Sequence, residues 1–136
     1  MNLNREAAKA AQEIIAETNK KIVPTSEGRR NTTKSEVENL VTKMLGVLQM
    51  NGVYACMLFL YSRTSGTDKV VSEITRKKLI KMTELLGKKA ATEDNAEEVL
   101  KYLTDNICND LDTLILTKQL WEQTLTYTRY SAKARE

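Results

Sequence analysis

The chain contains no histidine anywhere in its 136 residues. That removes the commonest general base and the commonest metal ligand. Proline occurs once, at Pro24, and glycine five times. Sheet proteins need frequent turn punctuation, and so little of it argues against an all-β or α/β chain. Cysteine occurs twice, at Cys56 and Cys108. The two lie far apart and lack the paired spacing of a zinc site or a disulfide framework. They read as reduced, core-type thiols. Aromatics are one phenylalanine, one tryptophan and five tyrosines, so the core must be mainly aliphatic. The longest apolar run is the nine residues from Val53 to Tyr61, well short of the roughly 20 that a membrane-spanning helix needs. The opening Met-Asn-Leu-Asn-Arg-Glu has no apolar signal core. A cytoplasmic protein with no membrane partner is expected.

What remains is aliphatic and helix-forming. Leu, Ile, Val and Phe fill 32 of 136 positions, above the roughly 20% below which chains tend to stay disordered. Ala, Leu, Lys and Glu are abundant, and all favour helix. Leu3, Ala7, Ala10, Ala11, Ile14, Ile15 and Ile22 recur at spacings of three and four, which predicts a first amphipathic helix. Pro24 bars its smooth continuation, and the polar stretch 25–33 reads as an exposed loop. Thr33 with Glu36, or Ser35 with Glu38, offers a capping box for a second helix. Val37, Leu40, Val41, Met44, Leu45 and Leu48 form its stripe, and Asn51-Gly52 ends it.

Val53 to Tyr61 is apolar on every side. A strand here would have no partner, and a lone strand leaves its backbone groups unsatisfied. The run therefore predicts a central helix enclosed by the others, with Phe59 buried. Thr67 or Asp68 is the expected N-cap of a fourth helix carrying Val71, Ile74, Leu79, Met82, Leu85 and Leu86. Lys78 falls inside that stripe and is expected to extend its ammonium to water. Gly87 ends the helix. Thr92-Glu93-Asp94-Asn95 starts a fifth, with Ala96, Val99, Leu100, Leu103 and Ile107 inward. A break near Asp105 to Asp110 precedes a last helix from about Asp110 to Ala134. Its first stripe is Leu111, Leu114, Ile115, Trp121 and Leu125. Its second is Leu116, Leu120 and Tyr127, read either as core or as a ridge for another subunit. Residues 1–136 thus predict an all-α chain, a single bundle of five to six helices.

No catalytic, metal-binding or cofactor-binding set emerges. Glu93, Asp94, Glu97 and Glu98 cluster at a helix N-terminus, where the helix dipole already favours anions. No small-molecule substrate is indicated. Binding features are clearer. Residues 61–92 carry eight basic and three acidic groups, net +5, whereas residues 93–122 carry two and eight, net −6. The basic groups include Arg63, Arg76, Lys77 and Lys81, and the loop adds Arg29 and Arg30. They read either as a solvated face, with Glu73 and Lys77 spaced to pair, or as contacts to a nucleic-acid backbone. No aromatics interleave with them, so base stacking is not indicated.

The stretch Leu48-Gln-Met-Asn-Gly-Val-Tyr-Ala-Cys-Met-Leu-Phe-Leu-Tyr-Ser-Arg63 resembles the centre of the small-subunit family of type III-B (Cmr) CRISPR effector complexes. That family has an Asn-Gly step, then an apolar helix closing on Phe-Leu and Ser-Lys or Ser-Arg. Asn51, Gly52, Phe59, Leu60, Ser62 and Arg63 match. Arg5-Glu-Ala-Ala-Lys-Ala-Ala is similar to the family's alanine-rich first helix, and Leu125 to Ala134 to its closing basic-aromatic segment. Val53 stands where the family usually has Leu-Gly, and the acidic stretch 105–112 matches no family motif. The resemblance implies a non-catalytic subunit. Its expected partners are other Cmr subunits, copies of itself, and the backbone of crRNA and target RNA. RNA contacts are expected among Arg29, Arg30, Arg63, Arg76, Lys77 and Lys81, with Arg63 foremost. Subunit contacts are expected at Glu97, Glu98, Leu116, Leu120 and Tyr127, the acidic pair meeting the basic end of a neighbouring copy.

Overall fold

A computed structural model describes residues 2–25, 28–89 and 93–134. Among them are six helices: α1 (Leu3–Lys20), α2 (Lys34–Asn51), α3 (Val53–Ser62), α4 (Gly66–Met82), α5 (Ala96–Asn106) and α6 (Leu111–Ala134). A 3₁₀ turn, Thr83–Leu86, extends α4. The chain is an all-α bundle. One departure interrupts it. The stretch expected to be an exposed loop is an antiparallel hairpin, β1 (Ile22–Thr25) with β2 (Gly28–Asn31), in the register Ile22 to Asn31. Helix α1 stops at Lys20, so Ile22 belongs to the hairpin and not to the α1 stripe. Pairing with β2 gives its backbone the partners that a lone strand would lack. The Thr32 hydroxyl anchors the hairpin's base by donating to the Thr18 carbonyl, 3.0 Å, at the C-terminal turn of α1.

Local signals set most helix ends. Thr33 and Glu36 form the expected capping box on α2. The Glu36 carboxylate also accepts a 2.8 Å bond from Thr67, so one side chain ties the starts of α2 and α4 together. Thr67 is therefore inside α4, and Ser65 occupies the N-cap without a side-chain bond. Asn95 caps α5 by accepting from the Glu98 N–H, and Asp110 caps α6 by accepting from Thr113. Thr92 lies outside the described residues. Gly52 serves two helices at once. Its N–H donates to the Leu48 carbonyl at the end of α2, and its carbonyl accepts from the Cys56 N–H at the start of α3. Its backbone sits at φ 95°, ψ −173°, a region that only glycine adopts without strain.

Helix α6, about 36 Å long at 1.5 Å per residue, packs along α1 and α2. Its buried face keeps only part of the apolar stripe expected from the sequence, Trp121 and Leu125. Leu111 and Ile115 are exposed, whereas Thr113, Thr117, Thr124 and Thr128 are buried beside Leu120, Trp121, Leu125 and Ala132. The threonines fit an apolar interior because each of the last three donates its hydroxyl to a carbonyl four residues back, at 2.7–2.8 Å. Trp121 is fully buried, and its Nε1–H donates to the Leu79 carbonyl at 3.0 Å. That carbonyl belongs to the last turn of α4, where no intrahelical donor remains.

Helix α3 also departs from expectation. It buries Val53, Cys56, Met57 and Leu60, but Tyr54 and Leu58 are exposed. It lies at the edge of the bundle, so Phe59 is only half-buried and the Arg63 guanidinium covers its ring at 4.7 Å. Burial pushes the Cys56 thiol up to about 12. Lys78 keeps 18% of its side chain exposed and is not left to water alone. Its ammonium bonds Glu13 of α1, whose carboxyl is thereby held below its ordinary value.

Four substitutions have expected outcomes for stability, all measured by urea denaturation. Leu60→Ala, at a fully buried position, costs about 2–5 kcal/mol. Phe59→Ala falls below the roughly 3–5 kcal/mol of a buried phenylalanine, and a larger loss there than at Leu60 would contradict the edge position of α3. Gly52→Ala costs about 1–3 kcal/mol through backbone strain alone, since no atom lies within 4 Å of the added methyl. Gly46→Ala, in the interior of α2 with the same open space, gains roughly 0.5–1 kcal/mol.

Candidate functional site

The six candidate RNA contacts separate into three kinds. The side chains of Arg29 and Arg30 lie outside the described residues; their backbone forms part of β2. Arg76 is already committed to the fold. Its Nε and Nη2 donate to the two carboxylate oxygens of Asp94 at 2.8 and 2.7 Å. Its guanidinium also stacks over the Tyr61 ring at 4.5 Å, and the Tyr61 hydroxyl donates to Asp94 at 2.7 Å. Three segments thus meet in one cluster: the end of α3, the middle of α4 and the lead-in to α5. The Arg76 hydrogen bond is the main reason the Asp94 carboxyl is held below its ordinary value. Burial, then the bond to Asp94, pushes the Tyr61 phenol well above its usual range. Arg76 thus spends Nε and Nη2 on Asp94 as part of the fold, which leaves its remaining N–H donors on a side chain only 13% exposed.

Arg63, Lys77 and Lys81 remain on the surface. Arg63 follows α3, over Phe59 and 3.9 Å from Asp68. Lys77 makes the predicted pair with Glu73 at 2.9 Å, with both side chains solvated. Such an exposed pair is worth about 0–1 kcal/mol and yields readily to a stronger anion. Lys81 is exposed beside a cleft between α1 and α4 that also holds Lys9, Lys78, Glu6, Glu13 and Glu84. Lys69, not singled out from the sequence, is exposed as well. Lys69, Glu73, Lys77 and Lys81 follow one i, i+4 ridge of α4, which drifts about 40° around the helix per step, so Lys69 and Lys81 stand roughly 120° apart.

The candidate subunit contacts divide in the same way. Glu97 and Glu98 are exposed in the first turn of α5. Leu116 is 42% exposed, but Leu120 is 3% exposed and belongs to the core. Leu120 is thus no part of an outward ridge: it lies on the threonine-lined face that α6 turns toward α1 and α2. Tyr127 is half-buried, and its hydroxyl bonds Asn4 at the start of α1. It fastens the two helices and leaves little surface to a partner.

An uncovered apolar groove escaped the sequence reading. Met50 and Tyr54 stand on one side, Cys108 and Leu114 on the other, with Lys118 at one end, around a volume of about 390 Å³. Met50 is 81% exposed, and Leu58, Leu111 and Ile115 are exposed as well. The four-residue spacing of Met50, Tyr54 and Leu58 was visible in the sequence, but the apolarity of the whole run concealed which side faced out. Among the described residues no group of three or more Cys, Asp or Glu side chains lies close enough to hold a metal ion, and no helix is long and apolar enough to cross a membrane.

The Arg76–Asp94 pair has a definite pH signature. Its stabilisation is complete above the unfolded carboxylate pKa, because Asp94 is ionised in both states there. It is lost as the pH falls through the lowered folded value. Asp94→Asn is expected to be less stable than the parent by about 1.5–3 kcal/mol at neutral pH. Denaturation midpoints of the two proteins should converge as the pH falls through the carboxylate range. A gap independent of pH would contradict this assignment.

Compared with known proteins, the chain matches no protein-family model and no curated protein sequence.

Proposed function

We propose that the chain is a non-catalytic small subunit of a type III-B (Cmr) CRISPR ribonucleoprotein. It would act in the cytoplasm as a helical element set against the crRNA–target duplex during antiviral defence. The observation that carries the reading is the exposed row Lys69, Lys77 and Lys81 on α4. Arg63, which closes the family-like segment 48–63, supports it. Such groups contact phosphates without reading bases, which suits a subunit that must accept any guide. Neighbouring copies and the larger Cmr subunits are its proposed protein partners. The exposed Glu97 and Glu98 supply a patch complementary to the lysine row of the next copy. Exposed ion pairs are weak singly, so stacking would depend on the surrounding complex.

A second reading, an adaptor that binds protein alone, is favoured by the apolar groove. Salt dependence separates the two. In the RNA reading, affinity of the isolated protein for a mixed-sequence single-stranded RNA falls steeply with salt, because binding releases condensed counterions. Lys81→Glu and Arg63→Glu each weaken binding and flatten the log–log salt slope by roughly 0.7 per lost phosphate contact. These positions are chosen over Arg76, whose reversal would break the cluster with Asp94. A salt-independent affinity, or none, leaves the adaptor.

A further inference from the structure

We propose that the outward face of α3 pairs with the same face of a second copy of the chain, antiparallel about a twofold axis. The contact goes beyond the head-to-tail stacking described above. It does not rest on the RNA reading, since it uses another surface and another symmetry.

Charge selects this occupant. Residues 44–62 contain no Asp, Glu, Lys or Arg, in a chain that is 29% charged. Burial does not account for the absence, because Gln49, Met50, Asn51, Tyr54, Leu58 and Ser62 are exposed. In a twofold contact one patch meets itself, so every charge near the axis faces its own duplicate. A charged face therefore opposes self-pairing, and a neutral apolar face does not. The flanking charges are matched within each copy. Arg63, which follows α3, lies 3.9 Å from Asp68, and Lys118, beside the hollow at Met50, lies 3.8 Å from Glu122. An acidic or basic partner finds no free countercharge on α3 to pair with.

Shape agrees with charge. Tyr54 and Leu58 are 40% and 49% exposed. They stand one turn apart on the same side of α3, about 6 Å along its axis. Ala55, half-buried beside them, has no bulk to hold a second helix away, so two axes can approach to the roughly 8–10 Å of packed helices. An antiparallel copy centred near Cys56 sets each Leu58 against the other copy's Tyr54. Tyr54 also lines the hollow with Met50 and Leu114, so the incoming Leu58 arrives at its rim. Ridge and hollow occur together on each copy, as a self-complementary contact requires.

The test is sedimentation equilibrium of the full chain over about 1–200 µM, a range that brackets a weak dimer. The average mass is expected to rise from one chain toward two. Leu58→Glu alone and Tyr54→Lys alone should each weaken the dimer at least about tenfold. Circular dichroism should stay unchanged in both, since both side chains are exposed. Mixing the two variants should restore dimers, because antiparallel pairing brings the introduced carboxylate against the introduced ammonium. Lys81→Glu, which tests the RNA reading, and Glu97→Lys with Glu98→Lys, which tests head-to-tail stacking, should leave the dimer unchanged. A chain that stays monomeric throughout the range leaves the face to a different protein and overturns the proposal. A dimer indifferent to both α3 substitutions, or a mixture that associates no better than its parts, does the same. Species heavier than two chains that disappear in Leu58→Glu also overturn it, since a twofold contact closes on itself.

Discussion

A single indole hydrogen bond closes the bundle. Trp121 is fully buried at the middle of α6, and its one polar atom must find an acceptor there or leave a donor stranded in an apolar interior. It finds the Leu79 carbonyl, in the last turn of α4. The same turn needs outside donors because its own helix has stopped. Each side of the contact thus removes the other's desolvation cost. Around it the Thr83 hydroxyl meets both the Ile80 carbonyl and the Tyr102 hydroxyl of α5, each at 2.6 Å. The end of α4 is therefore where α5 and α6 are fixed, and Arg76 with Asp94 adds a tie to the lead-in of α5 about one turn earlier.

That placement explains the fate of the charge asymmetry. A net +5 segment followed by a net −6 segment invited two arrangements: opposite ends of the molecule, or mutual neutralisation. The fold does some of each. Asp94 is consumed by Arg76 and Glu13 by Lys78, both pairs bridging elements distant in sequence. Glu97, Glu98, Lys69 and Lys81 stay exposed. The charges that hold the bundle and the charges that can meet a partner are different residues. Net charge by segment could not separate them.

Legibility in the sequence followed the range of the interaction. Helices α1, α2, α4, α5 and α6 were visible because an apolar face recurs every three to four residues, and the α2 capping box because its two partners are three residues apart. The hairpin was not, since Ile22 also fits the helical stripe before it and pairing needs a second segment. Phe59 was placed inward because a run apolar on all sides carries no phase. The same loss of phase hid the groove beside Met50 and Tyr54. Arg76 was read as available because Asp94 lies eighteen positions away. Leu120 was ambiguous for a related reason: the threonines that define the buried face of α6 look polar until their hydroxyls are paired with their own helix.

Those threonines carry a consequence for shape. Hydroxyls at 117, 124 and 128 all share carbonyls on one side of α6. A carbonyl that accepts from a side chain as well as from the backbone tilts and lengthens its helical bond, and repeated tilts on one face bend the rod. Such bonds repeated on one face of α6 favour a bend along the side it turns to α1 and α2. Valine at the same positions would fill similar space and straighten it. The hydroxyls are satisfied chiefly within α6, and Thr124 also reaches across to the Met82 sulfur of α4 at 3.5 Å.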